Sequence, residues 1–304
     1  RELYNKWGGI PRYVLFHALN PVQQSLLENA INLVDDKILN FVGEITDGND
    51  GSSISHKLVH ICTNVPEGEE NEEDEFGVPS TSTAPTVTKS DKRKGVAGRY
   101  YERVPFYNKC ILEFASDYVS EKAVDRLSRN YKYDLQNFVN TSEDMSEYST
   151  LRGAIFERLA HQRLLRGGKF NVRPLFEDSK TRHTLQLDNN MGKLTFSDIK
   201  EIAPKMYCIP IQKNNASFDA IIPPNMFFQM TVAKSHPIIK SGLEKYIERI
   251  DQDDDIKFYF VLPKEIYHTY KEQALYTTKR TVVQNKPAWF SRFKQYALEL
   301  NLKL

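Results

Sequence analysis

Apolar positions along this chain recur with two periods, and the change from one to the other divides it. Leu26, Leu27, Ala30, Ile31, Val34 and Ile38 return at helical spacing, with Asn20 placed to cap and Pro21 at the first helical position. Residues 21–42 are therefore predicted as one amphipathic helix. Leu58, Val59 and Ile61 mark a strand within 56–65, and a second strand is predicted over 103–114. A helix from about Ser116 carries Tyr118, Val119, Ala123 and Leu127 on one face, and the next takes in Leu135, Phe138 and Val139. Leu151, Ala154, Ile155, Leu159, Leu164 and Leu165 then stripe a helix over 151–165, which Gly167-Gly168 end. Beyond it the strand period dominates. Strands are predicted over 169–175, over 183–187 and 193–196 as a hairpin, over 206–211, and on either side of Pro223-Pro224-Asn225. A helix over 237–250, a strand over 257–262 and two aromatic-rich helical stretches complete the pattern.

The pattern lapses between 66 and 98. Seven acids fall between Glu67 and Glu75, followed by Ser, Thr and Pro and then by Lys89-Ser90-Asp91-Lys92-Arg93-Lys94. So few apolar side chains do not offset the entropy of ordering, and a disordered loop is expected there, inserted at the tip of a hairpin. The basic run suits either a solvated surface or a nuclear-localisation or DNA-contacting patch. The domain boundary is expected in the Ser-, Glu- and Asp-rich stretch 141–148, giving units of 1–145 and 146–304.

Charge changes the picture little. Forty-one basic and 40 acidic residues leave a net charge of +1, which excludes a purely electrostatic nucleic-acid binder but not an enzyme with local basic groups. Cys62, Cys110 and Cys208 are odd in number and far apart, so neither a disulfide framework nor a zinc site is expected. No run of 18 apolar residues occurs, and no membrane span is predicted. Arg1 is not a start methionine, so the chain reads as the C-terminal part of something longer.

The candidate chemistry lies around the Pro-Pro turn. Asp219 heads one strand, and Gln229 and Thr231 lie two apart on the next, so a period of two puts the latter pair on one face. An acid on one strand facing an acceptor on its neighbour is a way for a sheet to hold a divalent cation. The same residues also suit a hairpin in which they only satisfy backbone groups. Glu157 lies in the 151–165 helix, with His161 one turn later on the same face.

A helix with Glu157, strands, the Asp219 strand, the Gln229-x-Thr231 strand, a helix and a strand follow the element order of the PD-(D/E)XK restriction-endonuclease fold. Four stretches add to this: Trp7-Gly8-Gly9-Ile10-Pro11-Arg12-Tyr13-Val14, Phe114-Ala115-Ser116-Asp117-Tyr118-Val119, Leu151-Arg152-Gly153-Ala154-Ile155-Phe156-Glu157, and Phe228-Gln229-Met230-Thr231-Val232 with His236-Pro237. In this order the chain resembles, over nearly its whole length, the Crinkler effectors and their relatives, the retrotransposon hot spot proteins.

The resemblance implies an α+β fold, α/β-like in having a mixed sheet flanked by helices, nuclease-like over 146–304. A smaller helical and hairpin module precedes it, the tail of a P-loop NTPase module in which Arg12 lies near nucleotide phosphates. No GxxxxGK followed by Ser or Thr occurs, so ATP hydrolysis is not expected of this chain. By the same resemblance Glu157, Asp219 and Gln229 hold Mg²⁺ or Mn²⁺, Gln229 giving a neutral carbonyl where the family has an acid. Thr231 stands in the slot of the catalytic Lys, and Lys234 or His236 is left to supply the missing assistance. DNA is the implied substrate, host nuclear proteins are further partners, no membrane is involved, and secretion followed by delivery to the host-cell nucleus is the implied route. Two alternatives stay open. One is a degenerate nuclease fold that binds DNA or a host nuclear protein without cutting; the other is a structural or interaction domain with no metal.

Overall fold

The computed structural model describes residues 1–35, 37–40, 57–62, 111–143, 145–176, 183–211, 217–251 and 253–302. The expectations for the 66–98 loop and for the first part of the 103–114 strand lie outside the described residues. Helix α1 (Glu2–Trp7) is fixed by its last residue. Trp7 is buried, stacks on Tyr13 at 3.8 Å between centroids, and donates its indole N–H to Gln24 Oε1 at 2.7 Å. Gln24 in turn donates to the carbonyls of Tyr13 and His17, at 2.8 and 2.9 Å. Gly8 follows with φ +62° and packs so closely on Ala115 that a Cβ there would run into the Ala115 carbonyl oxygen. The Gly-Gly-x-Pro-Arg stretch thus fastens a helix pair together, while the Arg12 side chain is exposed.

Helix α2 (Pro21–Asn32) begins as predicted, Asn20 accepting from the Gln23 N–H at 3.1 Å. It stops ten residues short of expectation. Leu33 N–H turns back to the Asn29 and Ala30 carbonyls, and Asp35 beyond it would set negative charge at the helix's negative end. A separate short helix, α3 (Lys37–Asn40), follows. Strands β1 (Val59–Cys62) and β2 (Ile111–Phe114) pair antiparallel, from Val59 opposite Phe114 to Cys62 opposite Ile111. Ser116 then caps α4 (Asp117–Asn130): its hydroxyl accepts from Val119 N–H at 3.1 Å and donates to the Lys6 carbonyl at 2.6 Å. Helix α5 (Lys132–Thr141) leads to α6 (Ser149–Leu165), the helix that carries Glu157. Leu151, Ile155, Phe156, Leu159, Ala160 and Leu164 of α6 are all buried, because β2, α4 and α5 cover one side and the main sheet the other.

That sheet has eight strands. They are β3 (Gly168–Pro174), β4 (His183–Leu187), β5 (Gly192–Phe196), β6 (Met206–Pro210), β7 (Ala220–Ile222), β8 (Met226–Met230), β10 (Ile256–Pro263) and β12 (Phe293–Leu300). Across the sheet the order is β4-β3-β12-β10-β8-β7-β6-β5. The pairs β8–β10, β10–β12 and β5–β6 are parallel and the rest antiparallel, so the sheet is mixed. A two-residue strand β9 (Ile238–Ile239) and helix α7 (Lys240–Ile247) cross from β8 to β10. Helix α8 (Lys264–Tyr267) and strand β11 (Leu275–Tyr276), which pairs parallel with β9, come between β10 and β12.

Two expectations fail here. Strands β4 and β5 do not form a hairpin with each other: β4 pairs with β3, β5 with β6, and they occupy opposite edges. Only residues 188–191 join them, with Asn190 at φ 55°, so the sheet has to curl to bring its edges within reach. The last aromatic-rich stretch is not helical either. Phe293, Gln295, Ala297 and Leu298 are buried, and Phe293–Leu300 runs as a central strand between β3 and β10. Strand alternation sorts the apolar residues into two cores. Phe228, Met230, Tyr259 and Val261 pack with α6 and the N-terminal helices; Phe227, Phe258, Phe260 and Ala297 pack with α7 and α8. The first of these clusters runs without a break from Trp7 to Leu302.

Gly8→Ala tests the fastening of α1. The substitution forces a left-handed φ on a residue with a Cβ and drives that atom into the Ala115 carbonyl, so a loss of at least about 2 kcal/mol is expected in urea unfolding. A variant as stable as the parent would mean that α1 is not held at Ala115.

Candidate functional site

Strand β7 is short, and Asp219 just before it takes up the slot it leaves. Met230 N–H, at the end of β8, donates to Asp219 Oδ2 at 2.6 Å, and Gln229 Nε2 donates to the same oxygen at 2.8 Å. Asp219 N–H itself donates to the Phe228 carbonyl at 2.8 Å, which extends the β7–β8 pairing by one step. The carboxylate therefore lies at the end of the sheet, in the plane of the ladder. Gln229 is buried and follows Phe227 by alternation, on the face away from Phe228 and Met230. Its amide nitrogen is committed to Asp219, so offering its carbonyl to a cation beside Asp219 requires the amide to turn over.

Helix α6 approaches from the Phe228 side, where a Cβ on Gly153 would lie 4.0 Å from Val232 Cγ2. One turn later comes Glu157, whose side chain keeps 43% of its exposure, with Oε1 3.7 Å from His161 Nε2. His161 is buried, and its Nδ1 hydrogen-bonds the Tyr207 hydroxyl of β6 at 2.8 Å. Burial pushes the Glu157 carboxyl up, but the His161 contact and the charges of His161 and Arg158 outweigh this and hold it below the usual glutamate value. Asp219 goes the other way. Burial and then the Glu157 charge lift it well above the usual aspartate value, against the bonds from Met230 and Gln229. Burial, with the charges of Asp219 and Glu157, also keeps Tyr207 a neutral phenol. The two acids are thus near enough to feel each other, and their carboxyl pKa values are pushed in opposite directions, Glu157 down and Asp219 up.

The other predicted residues are placed differently. Thr231 ends β8: its N–H donates to the Val261 carbonyl at 3.1 Å, and its Oγ1 accepts from Ala233 N–H at 3.1 Å. The chain leaves the sheet at that point, and Lys234 beyond it is exposed. What holds this bend is Gln273, whose Oε1 accepts from Ser235 Oγ at 2.9 Å and from His236 N–H at 3.0 Å. Gln273 is locked by buried Gln295 of β12, which accepts from its N–H and donates to its carbonyl, at 2.9 and 2.8 Å. Tyr207, Gln273 and Gln295 carried no signal in the sequence, being tied to their partners only through strand order.

Among the described residues no group of three His, Cys, Asp or Glu converges on one point. A cation caged wholly by protein does not fit. Glu157 and Asp219 would be the two carboxylates of a cation whose other positions stay open to water or a phosphate, the usual habit of Mg²⁺. The raised pKa of Asp219 comes first from burial and second from the Glu157 charge, and only the second part would be relieved by a cation.

Comparison with known proteins points to one group of effectors. The chain is 23% identical over 282 residues to Crinkler effector protein 15 of Phytophthora infestans, covering 91% of this chain and 39% of that protein. To Crinkler effector protein 16 of the same organism it is 28% identical over 185 residues, 58% of this chain and 29% of that protein. This similarity supports a relationship to the Crinkler family. The chain spans less than half the length of these relatives. No family model matches it, and no solved structure does. No helix among the described residues is long and apolar enough to cross a membrane.

The Asp219 proton has a thermodynamic signature. The folded protein keeps a proton that the unfolded chain releases near pH 3.9, about the ordinary aspartate value. The stability this contributes is complete below that pH and is lost as pH rises through the raised value. Asp219→Asn mimics the protonated acid, so it should match the wild type in acid and exceed it near neutrality. A stability difference that stays constant with pH would show that folding leaves the Asp219 pKa unshifted.

Proposed function

We propose that this chain is part of a secreted Crinkler-type effector, delivered into host cells and to the host nucleus. In this reading residues 146–304 form a PD-(D/E)XK-like domain that hydrolyses DNA phosphodiesters with Mg²⁺ or Mn²⁺, and residues 1–145 are the tail of an NTPase-type module. The observation that carries the nuclease reading is the Asp219–Gln229 pair at the end of the sheet, within charge range of Glu157. The run α6, β6, β7, β8, α7, β10, with β8 and β10 parallel, supports it further. The similarity to Crinkler effectors 15 and 16 supports the effector role.

Glu157 and Asp219 would hold the cation; Gln229 positions Asp219 and would add a carbonyl only with its amide turned. When bound, the ion would polarise the scissile phosphate and ease deprotonation of a water. His161, fixed by Tyr207, steadies Glu157. Lys234 lies at the exposed bend that Gln273 holds, where it can meet a phosphate arriving from solvent. A second reading, DNA or host-protein binding without cleavage, is favoured by Thr231. A hydroxyl bonded to Ala233 supplies no positive charge where the fold places a Lys, and losing such a group costs on the order of a hundredfold in rate or more.

Calorimetry with Mn²⁺ should show binding that disappears in Asp219→Ala. Because each ion displaces the Asp219 proton, affinity should climb about tenfold per pH unit below the raised pKa. Mg²⁺-dependent cleavage of duplex DNA should fall far more than DNA binding in Lys234→Ala, and rise in Thr231→Lys. If DNA binds but neither metal supports cleavage, and Thr231→Lys changes nothing, the non-cleaving reading replaces the nuclease.

A further inference from the structure

Away from the carboxylates, α2 and α4 enclose a cleft of about 570 Å³. Two contacts set these helices side by side with the same polarity. The Tyr118 hydroxyl donates to Glu28 Oε1 at 2.6 Å, and Arg126 Nε donates to the Val34 carbonyl at 2.8 Å. Lys122, Arg126 and Arg129 line one wall at i, i+4 and i+7 of α4, and Ile31 and Asn32 line the other. None of the three cations has a carboxylate partner among the described residues. Lys122 Nζ lies 5.9 Å from the Tyr118 ring centroid, and Arg129 Nε donates to the main-chain carbonyl of Asp125 at 3.1 Å. Lys6 adds a fourth charge, 5.4 Å from the same ring. The one acid in the lining, Glu28, accepts the Tyr118 hydroxyl hydrogen bond on Oε1.

Like charges one turn apart destabilise a helix, and none of the three is ion-paired to nearby Glu28 or Asp125. An exposed lysine row alone would be a solvated surface. Here the middle cation is half-buried, is held from outside by Val34, and borders a cavity of the size that small ligands occupy, roughly 300–1,000 Å³. Guanidinium forks match phosphate oxygens in shape as well as charge. We propose that this cleft binds a small molecule bearing a chain of two or more phosphates. The half-buried position of Arg126 between two helices favours a compact ligand over the backbone of a duplex. The site shares no residue with the Asp219 cluster, so either can fail without the other.

The test is calorimetric titration of the 304-residue chain with pyrophosphate at constant ionic strength, without divalent metal, with sulfate as control. Arg126 is left intact because it supports Val34. Lys122→Ala and Arg129→Ala should each weaken binding about tenfold, the loss of one charge-assisted contact. The double variant should bind nothing, while its melting temperature without ligand is unchanged or raised. Absence of binding to the wild type at high pyrophosphate overturns the proposal. So does equal affinity for sulfate, or undiminished binding by the double variant. Binding of duplex DNA through these residues when pyrophosphate fails would assign the surface to nucleic acid instead.

Discussion

The structure depends on α6 having no free face. From Leu151 to Leu165 no residue of it is fully exposed, because the N-terminal module covers one side and the eight-stranded sheet the other. Burying five large apolar side chains of this helix is worth roughly 10 kcal/mol of gross transfer free energy, comparable to the net stability of a domain. A helix so committed has little freedom to rotate. That is why Glu157 and His161, which differ from their neighbours in chemistry and not in position, are held at one height above the end of the sheet.

The electrostatics follow from that placement. Glu157 is brought near Asp219 by the packing of Leu151, Ile155 and Phe156, not by any attraction between the acids. Burial first, and the Glu157 charge second, raise the Asp219 pKa. Tyr207 and Gln229 do complementary work: the first anchors His161 beside Glu157, the second shares Asp219 Oδ2 with a main-chain amide.

Local order was largely legible in the sequence. Asn20-Pro21, Ser116 and Gly167-Gly168 mark helix ends through bonds made within a few residues, and such signals survive any tertiary context. The readings that failed were those in which the partner of an element lay far away. The segments 183–187 and 193–196 look like a hairpin because they are adjacent, but each finds a better partner elsewhere. Phe293–Leu300 looks helical until β3 and β10 are set on either side of it. The site divides in the same way. The Asp219–Gln229 pairing follows from one tight turn and the period of the strand, whereas Tyr207 and the Gln273–Gln295 lock depend on strand order, which no local pattern encodes.

Strand order also governs when the molecule can be completed. The strand that joins the two halves of the sheet, β12, is the last of them in chain order, and it separates β3 from β10. During synthesis β4-β3 and β10-β8-β7-β6-β5 can each assemble, but both present an unpaired edge until residues 293–300 have emerged. The same strand carries Gln295, so the bend that presents Lys234 is secured by the same late event. Contacts of such long sequence separation are slow to form. A nascent chain of this strand order would hold its acidic pair before the neighbouring bend, and residues 293–300 act as the keystone of the candidate site.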